Sequence, residues 1–189
     1  MKSCTDVRLR AMEPEDLELI YRIENDPTFW RFGTTTVPYS RYVLRQYLAS
    51  AQNDIFKDEQ VRLIIETSNE HGQWHAVGLA DLFNFSAQHL RAEVGLAILP
   101  EFQHVGLGYA AMQQLLDYAV RLRLHQVYAV IAVSNTPAAR LFERLGFSAS
   151  SCLKDWLLQA DSFVDAIVWQ KVLIGHRESC HGADLRHET

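Results

Sequence analysis

The feature that most constrains this chain is a strand–loop–helix–strand run between residues 91 and 133. Residues 91–98 read as a strand closed by Leu99-Pro100. A loop bearing Gly106 and Gly108 comes next, and then an apolar-periodic helix over residues 109–122. Residues 126–133 (QVYAVIAV) are an apolar, β-branched run of the kind expected for a strand buried on both faces. A further helix, from about Thr136 to Leu145, ends at Gly146, where glycine commonly terminates helices.

Around this run the chain alternates between the two periods. Residues 7–12 form a short strand in which Val7, Leu9 and Ala11 alternate with Arg8 and Arg10. Glu13-Pro14-Glu15-Asp16 opens a helix that Asn25-Asp26-Pro27 stops, and Ser40 caps a second helix reaching about Ala51, with Tyr42, Leu44, Tyr47 and Leu48 as its apolar positions. Residues 61–66 and 74–85 are the arms of a hairpin around the turn at 68–72, and residues 151–158 and 163–173 make a last hairpin around 159–162. Strands with helices interspersed predict an α/β (α+β) fold in one domain over residues 5–173. Residues 174–189, polar and carrying His176, His181 and His187, are read as a flexible tail rather than a metal site.

Composition narrows the class. With 48% hydrophobic and 22% charged residues, a 189-residue chain buries a substantial core. A net charge of −5 argues against nucleic acid as a partner and suits a cationic substrate such as an amine, although a mildly acidic chain need carry no message in its charge. Cys4, Cys152 and Cys180 are odd in number and lack metal-ligand spacing, which suits a reducing compartment. The charged N-terminus is not a signal peptide, and no stretch approaches the roughly 18 apolar residues of a membrane span. The expectation is a soluble cytoplasmic protein without membrane, nucleic-acid or metal partners.

The loop Gln103-His104-Val105-Gly106-Leu107-Gly108 has three readings. It is a tight strand-to-helix turn, a nucleotide loop, or an anion cradle of backbone N–H groups at a helix start. A P-loop requires Lys and then Ser or Thr after its last glycine, and here Tyr109 and Ala110 stand in those places. A dinucleotide fingerprint requires an acid at the end of the next strand, which instead ends Val133-Ser134-Asn135.

The residues around and after the loop favour the cradle. Gln103-x-x-Gly106-x-Gly108 resembles the Q/R-x-x-G-x-G/A pyrophosphate loop of the GNAT acetyltransferase superfamily. The segment from Asn135 to Phe147, closing on Leu145-Gly146-Phe147, is similar to that family's second motif. The likeness spans nearly the whole domain. Arg91-Ala92-Glu93 and Leu99-Pro100-Glu101-Phe102-Gln103 resemble the branch holding spermidine N-acetyltransferases and ribosomal-protein N-terminal acetyltransferases.

The resemblance implies a mixed, mostly antiparallel central sheet with a splayed strand pair, flanked by helices. It also implies an acetyl-CoA-dependent N-acetyltransferase in which a primary amine (a polyamine, another small amine or a protein N-terminus) attacks the thioester directly. The loop amides from His104 through Val105, Gly106, Leu107 and Gly108 would hold the pyrophosphate. The N–H near Ile98 would meet the thioester carbonyl, and Asn135 the coenzyme arm, beside its own role of capping the helix at Thr136.

An alkyl amine is only about 0.1% neutral at pH 7, so a base is useful. Glu93 matches a glutamate common in the branch; an ion pair with a neighbouring arginine is its structural alternative. Asp81 and His125 are weaker candidates. At Phe142 many relatives carry a tyrosine that protonates the departing sulfur, and phenylalanine has no proton to give. Phe142 is then a packing group at the sulfur end, and water or another hydroxyl, Tyr128 or Ser134, the substitute acid. The competing reading is a non-catalytic acyl-CoA-binding module with a degraded site. His104 stands where relatives often have another glycine, a place histidine tolerates better than most. Residues 29–47, with Trp30, Phe32, Tyr39 and Tyr42, and the last hairpin would set the acceptor. The acid-poor stretch from Gly33 to Val37 counts against a polyamine. Branch members are often dimers or larger, which implies a homo-oligomer.

Overall fold

The computed structural model describes residues 6–30, 37–52, 54–159 and 161–173. Seven strands form one sheet: β1 (Val7–Ala11), β2 (Val61–Ser68), β3 (Trp74–Ser86), β4 (Arg91–Ile98), β5 (Gln126–Ala132), β6 (Ser148–Gln159) and β7 (Ser162–Val172). Six α-helices accompany them: α1 (Leu17–Glu24), α2 (Pro27–Trp30), α3 (Arg41–Ser50), α4 (Ile55–Asp58), α5 (Leu107–Arg121) and α6 (Thr136–Arg144). The strand order is β1-β2-β3-β4-β5-β7-β6. Every neighbouring pair is antiparallel except β4 and β5, which are parallel because α5 carries the chain back across the sheet between them. The mixed, mostly antiparallel sheet flanked by helices agrees with the expectation.

Strand alternation sorts the apolar side chains into two cores. On one face Ala111, Met112, Leu115 and Ala119 of α5 meet Val94 and Ile98 of β4, Val127, Ala129 and Ile131 of β5, and Phe142 of α6. On the other, Ile20 and Ile23 of α1 and Leu44 of α3 close over Ile64 and Leu79. The 3.6-residue period of each helix brings these positions onto one stripe. Tyr42, expected among the apolar positions of α3, is exposed instead, because Leu44, Tyr47 and Leu48 suffice to fill the stripe.

Several expectations are corrected. The first helix is preceded by a 3₁₀ turn over Pro14–Asp16, where Asp16 accepts from the Glu13 N–H at 2.8 Å and pairs with Arg10 at 2.6 Å. The four-residue helices α2 and α4 escape periodicity because one turn is too short to display it. Helix α5 starts at Leu107 rather than 109, which places Gly108 in its first turn. Strand β5 is fully covered on one face and half-covered on the other as far as Ile131, where buried and half-buried residues alternate, since α5 and α6 lie on the same side; Ala132 beyond is buried as well. Strand β6 begins at Ser148 rather than 151 and is mostly exposed, as the edge position requires. The side chain of Trp30, residues 31–36 (hence Phe32 and most of the acid-poor stretch), Cys4 and the proposed tail with its histidines and Cys180 lie outside the described residues.

Leu115 has no exposed surface and sits between α5 and the sheet. Leu115→Ala is expected to lower unfolding stability by about 2–5 kcal/mol, measured as a reduced urea midpoint at unchanged slope.

Candidate active site

The site grows from one irregularity in the sheet. Strands β4 and β5 pair only at Arg91–Gln126, Ala92–Val127 and Glu93–Tyr128. Beyond that rung β4 stays paired with β3 as far as Ile98, and β5 stays paired with β7 as far as Ala132. The two strands therefore splay into a notch.

Antiparallel register fixes which backbone groups face it. Leu99 donates to the Val77 carbonyl at 2.9 Å, so by alternation Leu96 and Ile98 turn their N–H and C=O groups away from β3, toward β5. On the other side Val133 donates to Asp165 at 3.0 Å, so Val130 and Ala132 turn theirs toward β4. This is the expected splayed pair, with strand edges in place of a ladder.

Glu93 stands at the apex, on the face opposite α5, with Phe83 of β3 and Tyr128 of β5 directly across from it. Its partner is not the arginine that sequence reasoning offered as the alternative. Asn84 donates its side-chain amide to Glu93 Oε2 at 2.9 Å. Burial pushes the Glu93 carboxyl above the usual carboxylate range, and Asn84, the Val130 N–H and the Tyr128 hydroxyl offset this by favouring the ionised form. Burial likewise raises the Tyr128 hydroxyl, with the Glu93 charge adding to it.

The glycine loop closes the wide end of the notch. Gly106 caps α5 with φ +94°, and His104 takes φ +63°, both in the left-handed region. A side chain on Gly106 would meet open space, so the backbone angle is what calls for glycine there. Gly108 serves packing: a Cβ would lie 3.2 Å from Leu96 and 3.6 Å from Ile98. Gln103 donates its side-chain amide to the Ile98 carbonyl at 2.7 Å, which latches the loop to the end of β4. Among the described residues the backbone N–H groups from His104 to Tyr109 have no acceptor, leaving a row of donors at the positive end of a fifteen-residue helix. Val105 is exposed beside them.

The second motif lies beside the far edge. Asn135 caps α6, accepting from the Ala138 N–H at 3.3 Å. Phe142 is only 5% exposed and packs edge-to-face on Phe147, with ring centroids 4.8 Å apart. Ser134 donates to Gln159 at 3.2 Å.

The weaker candidates find other partners. Asp81 is committed to Arg62 at 3.0 Å, which also pairs with Glu24 at 2.5 Å; a charge triad thus joins α1, β2 and β3 behind the notch. His125 is exposed. Tyr39 and Tyr42 are exposed as well, the latter accepting from Gln46. Sequence reading missed both Asn84 and Arg62. An asparagine near the end of a strand segment was the signal for the first; the second gave none. Among the described residues no group of three His, Cys, Asp or Glu is placed to hold a metal, and no helix is long and apolar enough to cross a membrane.

A notch between parallel strands, a free helix N-terminus at its mouth and a carboxylate at its apex define an acyltransferase that takes its acyl group from a coenzyme thioester. The acetyltransferase (GNAT) domain model matches residues 6–148, and the chain belongs to that family. It is 30% identical over 149 residues to the Escherichia coli spermidine N(1)-acetyltransferase, covering 78% of this chain and 76% of that one. It is 29% identical over 73 residues to the E. coli ribosomal protein bS18 alanine N-acetyltransferase, covering 39% and 49%. The spermidine N-acetyltransferase of Vibrio cholerae, solved with CoA and spermine, superposes with a TM-score of 0.76 at 25% identity over 88% of this chain and 95% of the other. A dodecameric form of that enzyme gives 0.71 at 26% identity over 88% and 94%. The protein is an acetyl-CoA-dependent N-acetyltransferase, and the degraded-module alternative is not favoured.

Because the folded state binds the Glu93 proton more tightly than the unfolded chain does, this group stabilises the fold only as pH falls through its raised pKa, and loses that contribution above it. Glu93→Gln is therefore expected to melt above the native protein at pH 8 in a thermal scan. The difference should shrink as the pH is lowered through that range.

Proposed function

We propose that the chain transfers acetyl from acetyl-CoA to a primary amine by direct attack, with Glu93 as base. The open apex of the β4–β5 notch, with a half-buried carboxylate on its floor, carries this reading. The free N–H groups from His104 to Tyr109 bind the pyrophosphate, with Gln103 holding the loop in place. The exposed edges at Leu96, Ile98 and Ala132 pair with the amide groups of the coenzyme arm, as an added strand would. The Ile98 N–H meets the thioester oxygen, where charge develops in the transition state. Asn135 bonds the arm in addition to capping α6, and Phe142 forms the packed wall behind the sulfur end. The bound coenzyme supplies the activated acetyl group.

Glu93 draws the ammonium into the apex between Phe83 and Tyr128 and accepts the proton it sheds. The amine nitrogen then bonds to the acetyl carbon, its second proton passes to the Tyr128 oxygen as that hydroxyl gives up its own, and the carbon–sulfur bond breaks to release the sulfur as a thiolate. Tyr128, kept protonated by burial and by the neighbouring charge, gives the sulfur its proton. A thiolate is a tolerable leaving group without much assistance, so Phe142 in place of a hydroxyl does not forbid transfer.

The relatives named for spermidine and for a protein N-terminal alanine bracket the acceptor class, and spermidine is the first to try. Thiol release from acetyl-CoA is expected with spermidine, an alkyl monoamine or an alanine-initiated peptide, and Glu93→Gln should lower it by about 10²–10⁴-fold near pH 7. Failure of every amine in such a panel to release thiol would sink the proposal.

Self-association belongs to the same reading. Leu158 and Phe163 stand opposite each other on the outermost hairpin, with Trp156 two residues before Leu158, and all three are about 60% exposed. Light scattering is expected to give a mass of at least two chains, and Trp156→Asp with Phe163→Asp to reduce it.

A further inference from the structure

We propose that Asn84 is a positioning residue for Glu93: a β-bulge turns its side-chain amide onto the carboxylate, fixing its orientation and holding it ionised for amine binding and proton transfer. The inference rests on the functional reading above, in which Glu93 is the base.

Phe83 pairs with Glu93 and lies on its face of the sheet, so in a regular strand residue 84 would project from the opposite face, toward α5. The pairing instead breaks between Phe83 and Ser86: Ser86, not Phe85, stands across from Arg91, and one extra residue is accommodated in β3. Within that irregularity Asn84 takes φ +49°. Bulges of this kind redirect a side chain, and asparagine is among the few residues that enter the left-handed region at small cost. The result is the 2.9 Å bond from the Asn84 amide to Glu93 Oε2, while Phe85 turns to the α5 face and packs edge-to-face on Phe56. An exposed, non-glycine residue held in the left-handed region, whose amide reaches the half-buried carboxylate at the apex, is explained by that carboxylate.

The surroundings make the contact consequential. From β5, Glu93 faces the Tyr128 hydroxyl and the Val130 N–H. Arg91, two residues earlier on β4, acts on Tyr128, and Asp81 on β3 is held by Arg62. Among the described residues no cation pairs with Glu93, so neutral donors alone oppose its burial, and Asn84 is the largest of them.

Two variants separate the amide from the backbone. Asn84→Gly keeps the left-handed conformation and removes the donor; Asn84→Asp keeps the shape and adds a like charge. The measurements are the carboxyl titration of Glu93 by ¹³C NMR, assigned with Glu93→Gln, and the pH profile of kcat/KM for spermidine acetylation. In both variants the titration and the acidic limb of the profile should move together to higher pH, further for aspartate. On the acidic side of the limb kcat/KM should fall by about 10-fold in both variants. An unmoved titration would overturn the proposal, as would a titration that moves while the limb does not. If spermidine is not acetylated at all, the functional reading fails for that acceptor, and the titration still decides whether Asn84 governs the carboxylate.

Discussion

Everything distinctive about this molecule comes from a ladder that stops. Strands β4 and β5 are joined at three rungs and then part, although each remains bound to its outer neighbour. Sheets ordinarily satisfy their backbone groups by continuing, and unpaired N–H and C=O groups in a protein interior are costly. Here the cost is contained by specific devices. At the apex the Val130 N–H faces Glu93 and favours its charged form, and near the mouth Gln103 donates to the Ile98 carbonyl. What remains open between them is a short length of strand edge, bounded at one end by charge and at the other by the dipole of α5.

Three of the left-handed residues lie around this gap, with others, Glu59 and Asp155 among them, elsewhere in the chain. His104 and Gly106 take left-handed angles in the loop, and Asn84 does so in the bulge across from Glu93. Each of the three lies in the loop or the strand irregularity that borders the notch. Conformational strain is a small reservoir that stays where surrounding packing over-determines it. The packing of Gly108 against Leu96 and Ile98 provides that support for the loop, because it brings the first turn of α5 directly onto β4.

Sequence reading reached the fold and the class of reaction and stopped short of the contacts at the apex. The helices with sustained apolar stripes and all seven strands were legible from period, and two glycines with the Asn135–Phe147 segment beyond them identified the family. The start of α5 was missed because Leu107 and Gly108 look like loop until the helix packs. The half-covered second face of β5 was missed because Tyr128 and Val130 are as apolar in composition as residues hidden on both sides. Glu93 was legible as a candidate, yet its partner was not, since Asn84 reaches it only through a bulge that shifts strand parity. The Arg62 triad joins residues 24, 62 and 81, and nothing in the local pattern announces it.

The unfinished ladder also has a consequence for the protein before any coenzyme arrives. A gap with free edges on both walls is a template for any extended chain, including a strand of a partly unfolded neighbour. The molecule limits that hazard by keeping the edge short and placing it inside the sheet, with a carboxylate at its blind end. An edge so short offers a neighbour few rungs to pair with.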